Sequence, residues 1–297
     1  MIQRRKEKEE EVKSAEEVEG QNIVKSIFEH DQDHGGVTSI VMGIPGSAKT
    51  AVCCSFADYI MDYYPKEKVW FRNSMYSPVQ FIKLRNTHKV YIEKCSNVRL
   101  FDRFTGKDVT KKLGAVYFTS FDDLYNKSLT GGCNAVFFGN SNIEGIPKDM
   151  DMGTIKWMQF MRYLLGKHTW QHILIDEYSE LAGARPSGKM WEIVEQHAHD
   201  IKNARKSNMN IYSNTHQTSD IDFRVMQSIM VIVFLYGAHP YRFSRVNKYA
   251  LDNLPKPTHR TGTYGWLSYG SKFGRVHFPT VYKPVKNVSY EARFVDE

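Results

Sequence analysis

The chain has 297 residues, 41% of them hydrophobic and 25% charged, enough to bury one large core or a core with a small appended module. Forty Lys and Arg against 33 acids give a net charge of +7 and a pI near 9.0, a balance that favours polyanionic partners. The longest apolar run, Ile229 to Tyr236, is too short to span a bilayer, and the N-terminus is charged with no apolar stretch, so the reading is a soluble protein of the cytoplasm, or a virus-associated one inside the host cell.

In chain order, residues 1–21 are almost all charge and read as a solvated helix or disordered arm. From 22 to 237, short β-rich apolar runs alternate with amphipathic stretches. That pattern predicts one α/β domain, a doubly wound, mostly parallel sheet with helices on both faces. Strands are expected at Thr38 to Met42, Lys68 to Arg72, Ala135 to Phe138, His172 to Ile175, Asn210 to Asn214 and Met230 to Leu235. A β-rich insertion is expected at about 89–118, with Thr105, Gly106, Lys107 and Asp108 as a turn between paired strands. A helix is expected from Pro186 to Lys206, with Met190, Val194, His197, Ile201 and Ala204 as its buried stripe. Residues 238–297, rich in Pro, Gly and Tyr, are expected to form a small C-terminal module of loops and short hairpins.

Cys53, Cys54, Cys95 and Cys133 form no CxxC pair and read as buried, reduced thiols. His197 and His199 are two apart on a predicted helix, and His168 and His172 flank a helix-to-strand junction, so the histidines make no metal site. The only acids after Pro240 are Asp252, Glu291, Asp296 and Glu297, too few and too terminal for a metal-dependent nuclease.

The strongest chemical signal is GIPGSAKT, Gly43 to Thr50, placed after an apolar strand and before the amphipathic stretch Ala51 to Tyr64. A loop there turns the backbone N–H groups of a helix N-terminus toward phosphate oxygens. The segment resembles the Walker A motif GxxxxGK[ST], except that Ala48 stands where the second glycine belongs. The resemblance implies ATP held by Gly43, Ile44, Pro45, Gly46, Ser47, Ala48, Lys49, Thr50 and Ala51, with Lys49 on the β and γ phosphates and Thr50 on magnesium. HILIDE, His172 to Glu177, is a buried strand ending in two acids and looks like a Walker B strand. It implies Asp176 as the second magnesium residue, acting through water, and Glu177 as the group that polarises the attacking water.

A glutamate beside the Walker B aspartate, with a further strand between the two motifs, resembles the additional-strand catalytic-glutamate branch of P-loop NTPases. The strand Asn210 to Asn214 leads into Thr215, His216 and Gln217, polar groups beside the γ-phosphate position, with Gln217 the candidate for the sensing role. The order of these parts over Thr38 to Tyr236 is similar to the FtsK/HerA group, which holds DNA-pumping ATPases, viral genome-packaging ATPases and zonula occludens toxin-like assembly proteins. The resemblance implies a RecA-like fold, ATP hydrolysis and a DNA motor. An assembly ATPase or nucleotide-dependent switch acting on proteins, and an ATP-dependent helicase, stay open beside it. It also implies a homo-oligomer such as a hexameric ring, in which an arginine reaches a neighbour's phosphates. Arg205 is the first candidate and Arg162, Arg185 and Arg224 the others, against a reading in which Lys202, Arg205 and Lys206 only complement a helix dipole.

From Pro240 to the end, ten cations face four acids, interleaved with Tyr241, Phe243, Tyr249, Tyr264, Trp266, Tyr269 and Phe273. This texture suits DNA of low sequence specificity, through phosphate contact and base stacking. It equally suits a small β module with solvated cations. Zonula occludens toxin-like proteins usually carry a membrane span after the ATPase, and this sequence has none.

Overall fold

The computed structural model describes residues 35–73, 88–94, 96–239, 248–258, 262–278 and 290–295. The charged arm expected over residues 1–21 lies outside them, as do Cys95, Tyr241, Arg242, Phe243, Arg245, Arg260, Lys283, Lys286 and the side chain of Lys248. The chain forms β1 (Thr38–Met42), α1 (Lys49–Tyr63), β2 (Lys68–Arg72), β3 (His88–Glu93), β4 (Val98–Asp102), β5 (Val116–Phe118) and α2 (Phe121–Lys127). It continues with β6 (Cys133–Phe137), α3 (Met152–Leu165), β7 (Gln171–Ile175), α4 (Tyr178–Leu181), α5 (Gly188–Ala204), β8 (Met209–Thr215) and α6 (Phe223–Met226). Last come β9 (Val231–Leu235), α7 (Lys248–Asp252), β10 (Thr263–Tyr269), β11 (Lys272–Phe278) and β12 (Tyr290–Phe294).

Ten strands make one sheet in the order β11-β10-β9-β1-β8-β7-β2-β6-β3-β5. From β9 through β5 every pairing is parallel. The strand carrying the glycine-rich loop, β1, is separated from the acid-tipped β7 by β8 alone, which is the expected additional strand and the RecA-like arrangement. The strands are continuous apolar runs because both faces are covered. Val41 packs on one side with Val52, Phe56 and Ile60 of α1 and with Tyr212. Ile40 and Met42 pack on the other with Trp157, Phe160 and Met161 of α3 and Val194 and Ile201 of α5.

Local signals fix the helix starts. Ser120 accepts from Asp123 N to cap α2, and Asp151 accepts from Thr154 N to cap α3. Of the expected stripe of α5, Val194, His197, Ile201 and Ala204 are buried and Met190 is half-buried against the same core. The region 89–118 is β-rich as expected, but β3 and β5 join the main sheet in parallel. Only β4 stands apart, with the turn at 105–108 folding Asp108 back onto Phe101, and it pairs with β12 in a second, two-stranded sheet. The C-terminal hairpin β10–β11 hydrogen-bonds to β9 and so extends the main sheet. Cys53, Cys54 and Cys133 are buried and unbridged, and among the described residues no helix is long and apolar enough to cross a membrane.

His197 lies in the core with its Nε2 3.0 Å from the Tyr178 hydroxyl. Burial, aided by the charges of Arg162 and Arg72, pushes its pKa down to about 3. The unfolded chain therefore takes up this proton first, near pH 6.5, while the folded one resists until about 3. The group's contribution is fully present above about pH 6.5 and drains away below it, by at most about 1.4 kcal/mol per pH unit. His197→Gln keeps a partner for Tyr178 and has nothing to titrate. Its melting temperature is expected to fall less between pH 7 and pH 5 than that of the wild type; equal slopes would contradict the assignment.

Candidate active site

β1, β8 and β7 end almost flush, since Met42 is in register with Thr215 and Ile175 with Ser213. Everything that follows these strands gathers at one edge of the sheet, where parallel α/β folds place their ligands. The loop 43–48 turns there, with Ser47 N donating to Ile44 O at 3.1 Å. A side chain at Gly43 would collide with Ser47 and the Tyr236 carbonyl, so glycine is required for close approach. Gly46, at φ +81°, has open space where a side chain would stand. Ala48 caps α1 without a side-chain hydrogen bond, and the helix has no acid in its first turn. Its N-terminal N–H groups and the positive end of its dipole are thus left to an external anion.

Ala48 occupies the left-handed region, φ 72° and ψ 22°. That conformation is why glycine is usual at this place, and an alanine there costs about 1–2 kcal/mol.

The residues that the two motifs nominate do come together. Thr50 Oγ1 donates to Asp176 Oδ1 at 3.0 Å. The buried Lys49 ammonium donates to Gly43 O at 2.9 Å and Ile44 O at 3.3 Å, and lies 3.1 Å from His216 Nδ1. Burial draws its pKa below the usual value, against the opposing pull of Glu177 and Asp176. Glu177 stands at φ 53°, in the left-handed region, at the turn from β7 into α4. Its Oε1 accepts from Ser179 Oγ at 2.8 Å, and its Oε2 lies 3.4 Å from His216 Nε2.

Three further residues shape this cluster. Asn214 donates to Asp176 Oδ1 at 2.9 Å and accepts from Glu177 N at 3.2 Å, so one amide holds the Asp176 carboxylate and the Glu177 backbone. His216 bridges Lys49 and Glu177. Arg72, at the tip of β2, donates to the Asp176 carbonyl at 3.3 Å and to Thr154 Oγ1 at 3.2 Å, and pairs with Glu180 at 3.6 Å. Burial lowers the Arg72 pKa, with Glu180, Asp151 and Asp176 opposing the shift.

Gln217, the expected sensor, is not at the cluster; its Oε1 accepts from Ser219 Oγ at 3.3 Å. β8 ends at Thr215, and beyond it the His216 side chain reaches Lys49 while that of Gln217 turns to Ser219. The arginine candidates separate too. Arg205 lies at the opposite edge of the sheet, where its carbonyl accepts from Gly36 N just before β1. The length of β8, roughly 20 Å, separates it from the loop 43–48. Arg162 is paired with Asp200 at 2.9 Å. Arg224 is paired with Asp222 at 2.9 Å and stacks on Trp191. Arg185 is exposed, at φ 60°. It follows Ala184, whose N–H bonds to Asp220 O beyond the end of β8, on the edge that holds the site.

No family model and no curated protein matches the chain. Solved structures do. The genome packaging NTPase B204 from Sulfolobus turreted icosahedral virus 2, in complex with ATP-gammaS, is 14% identical, over 83% of this chain and 98% of that one, with a TM-score of 0.49. The N-terminal domain of zonular occludens toxin from Neisseria meningitidis is 11% identical over 89% and 96%, with a TM-score of 0.35. A KaiC-like protein from the hyperthermophilic archaeon Pyrococcus horikoshii OT3 is 11% identical over 82% and 91%, with a TM-score of 0.38. At such identities the P-loop fold rests on this chain's own strand order and loop geometry.

The Ala48 conformation yields a stability test. Ala48→Gly removes the left-handed cost and adds some freedom to the unfolded chain, for an expected net gain of up to about 1 kcal/mol. Thermal melting measures it, and a lower melting temperature would contradict the geometry.

Proposed function

We propose that this chain binds and hydrolyses ATP at the loop 43–50 and uses the reaction as a motor on DNA. The observation that carries the first half is the contact of Thr50 with Asp176, which sets a phosphate loop, a hydroxyl and two acids at one point. The N–H groups at the start of α1 bind phosphate oxygens, and Lys49 neutralises charge on the β and γ phosphates. Thr50 Oγ1 and Asp176 Oδ1 are hard oxygen donors in contact, a pair that suits magnesium, which binds few protein oxygens and keeps several waters. Thr50 would hold the ion directly and Asp176 through water; when bound, it neutralises charge on the phosphoryl oxygens. Glu177, braced by Ser179 and Asn214, takes the proton of the attacking water.

For the second half, the support is the outer hairpin. Tyr264 faces His277 across β10–β11, with ring centroids 4.2 Å apart, and Arg275 lies 4.9 Å from the Tyr264 ring. Trp266 stands opposite Arg275, and Phe273 and Lys272 are exposed. Tyr264, Trp266, Phe273 and Arg275 share one sheet face, with Lys272 on the other, and rings beside a cation suit a phosphate backbone and stacked bases. For an arginine acting between copies in a ring, Arg185 is the better placed candidate, because it shares the site's edge and is exposed.

Lys49→Ala is expected to abolish ATP binding, and Glu177→Gln to keep binding while lowering turnover roughly 10² to 10⁴-fold. Equilibrium binding and steady-state turnover read both, and unchanged affinity in Lys49→Ala would sink the phosphate-loop assignment. Mixing Lys49→Ala with Arg185→Ala copies should recover turnover if Arg185 acts in trans.

Double-stranded DNA of unrelated sequence is expected to stimulate turnover, with a stimulation that falls steeply as salt rises. Lys272→Ala with Arg275→Ala should reduce that stimulation without touching DNA-free turnover. ATPase activity indifferent to DNA would instead favour an assembly ATPase acting on proteins.

A further inference from the structure

The side chains of Lys49 and Glu177 are joined through one imidazole. Lys49 has three N–H groups and three acceptors, Gly43 O, Ile44 O and His216 Nδ1. An ammonium can only donate, so Nδ1 accepts and the ring proton sits on Nε2. The Nε2 side of the ring lies 3.4 Å from Glu177 Oε2. The second oxygen of the same carboxylate is held by Ser179 at 2.8 Å. One oxygen of the proposed base thus accepts from Ser179 and the other is covered by the imidazole.

Of the three acceptors on Lys49, two are backbone carbonyls built into the phosphate loop. The third is a side chain that is 41% exposed and can swing on its own torsions. A phosphate oxygen that claims a Lys49 proton therefore competes with His216 first. We propose that His216 is a latch residue of the ATP site: it holds Lys49 and Glu177 together and is displaced from both when a triphosphate engages Lys49. The proposal rests on the ATPase reading given above and adds its regulation. The loss of the Lys49 contact frees the ring to swing away from Glu177, so the carboxylate is opened to the attacking water only after phosphate has arrived. No covalent bond is made or broken in this step; the Lys49–His216 hydrogen bond is exchanged for one from Lys49 to phosphate. Asn214 is untouched by the exchange, because it contacts Asp176 Oδ1 and the Glu177 backbone, not the Glu177 carboxylate.

A latch and a transition-state residue make opposite predictions on removal. His216→Ala deletes a competitor for Lys49, so a non-hydrolysable ATP analogue should bind about three- to tenfold more tightly, the scale of one solvent-competed hydrogen bond. KM for ATP should fall with it. His216→Gln can accept from Lys49 and donate to Glu177 with one amide, and should return affinity and KM toward the wild-type values. A purely structural role would weaken binding in His216→Ala and would not be rescued in this direction. The test is titration calorimetry with the analogue, alongside steady-state kinetics, on the full chain and both variants. Affinity in His216→Ala that is unchanged or weaker, or a lower kcat with unmoved affinity, overturns the latch alone. If the wild type does not bind the analogue, the ATPase reading falls and the latch with it.

Discussion

The hydrogen bond between Thr50 and Asp176 depends on a register that spans three strands. Thr50 belongs to the helix that follows β1, and Asp176 follows β7, two strands away. They meet at 3.0 Å because β8 fills the gap and all three strands end at one level. A one-residue slip in this register would move whole side chains from one buried face to the other. With Ile40 and Val41 committed to opposite cores, such a slip is excluded by the burial of several large side chains, each worth about 1.5–3 kcal/mol. The position of the site is therefore set by the core, and the polar residues at the strand tips adjust to it.

Those tips carry an unusual density of buried polar groups. Arg72, Asn214 and Lys49 are all buried, and a buried ion left without partners costs several kcal/mol. Arg72 meets that cost with the Asp176 carbonyl, Thr154 and Glu180, which also ties α3 and α4 to the end of β7. Lys156 does the same one strand further out, where it joins Glu93 of β3 to the Gly139 carbonyl and Ser141 and so holds the loop after β6. The charges at this edge of the sheet are thus neutralised locally, by bonds to neighbouring strand ends and helices.

Much of this was legible before the structure, and the reasons are physical. Buried parallel strands are uninterrupted apolar runs, which is why β1 and β2 coincide with their expected limits and the four other expected strands lie within two residues of them. The loop 43–50 and the acids 176–177 are short local motifs whose chemistry does not depend on distant chain. Asn214, His216 and Arg72 were harder, because their role follows from which face of a strand they occupy. β3 and β5 read as an insertion because they enter the sheet beyond β6, an order that no local pattern announces. Arg205 was favoured for its helix-end charge cluster, but a helix that precedes β8 delivers its C-terminus to the edge away from the phosphates.

The C-terminal hairpin is where local reading and fold diverge most usefully. Its composition marks it as different from the apolar sheet, yet β10 pairs with β9 from Gly265 to Tyr269. Its first residue, Thr263, is buried and places its hydroxyl 3.5 Å from the Ser47 carbonyl in the phosphate loop. Gly237, at the end of β9, lies so close to Ile44 that any side chain there would strike it. The hairpin and the phosphate loop thus share a wall. In the proposed motor, a force on the rings and cations of β10–β11 would pass to β9 and β1 through strands bonded edge to edge. A change in the loop 43–48 would reach the same hairpin through Thr263, and that continuity is what the proposed coupling of ATP to DNA would require.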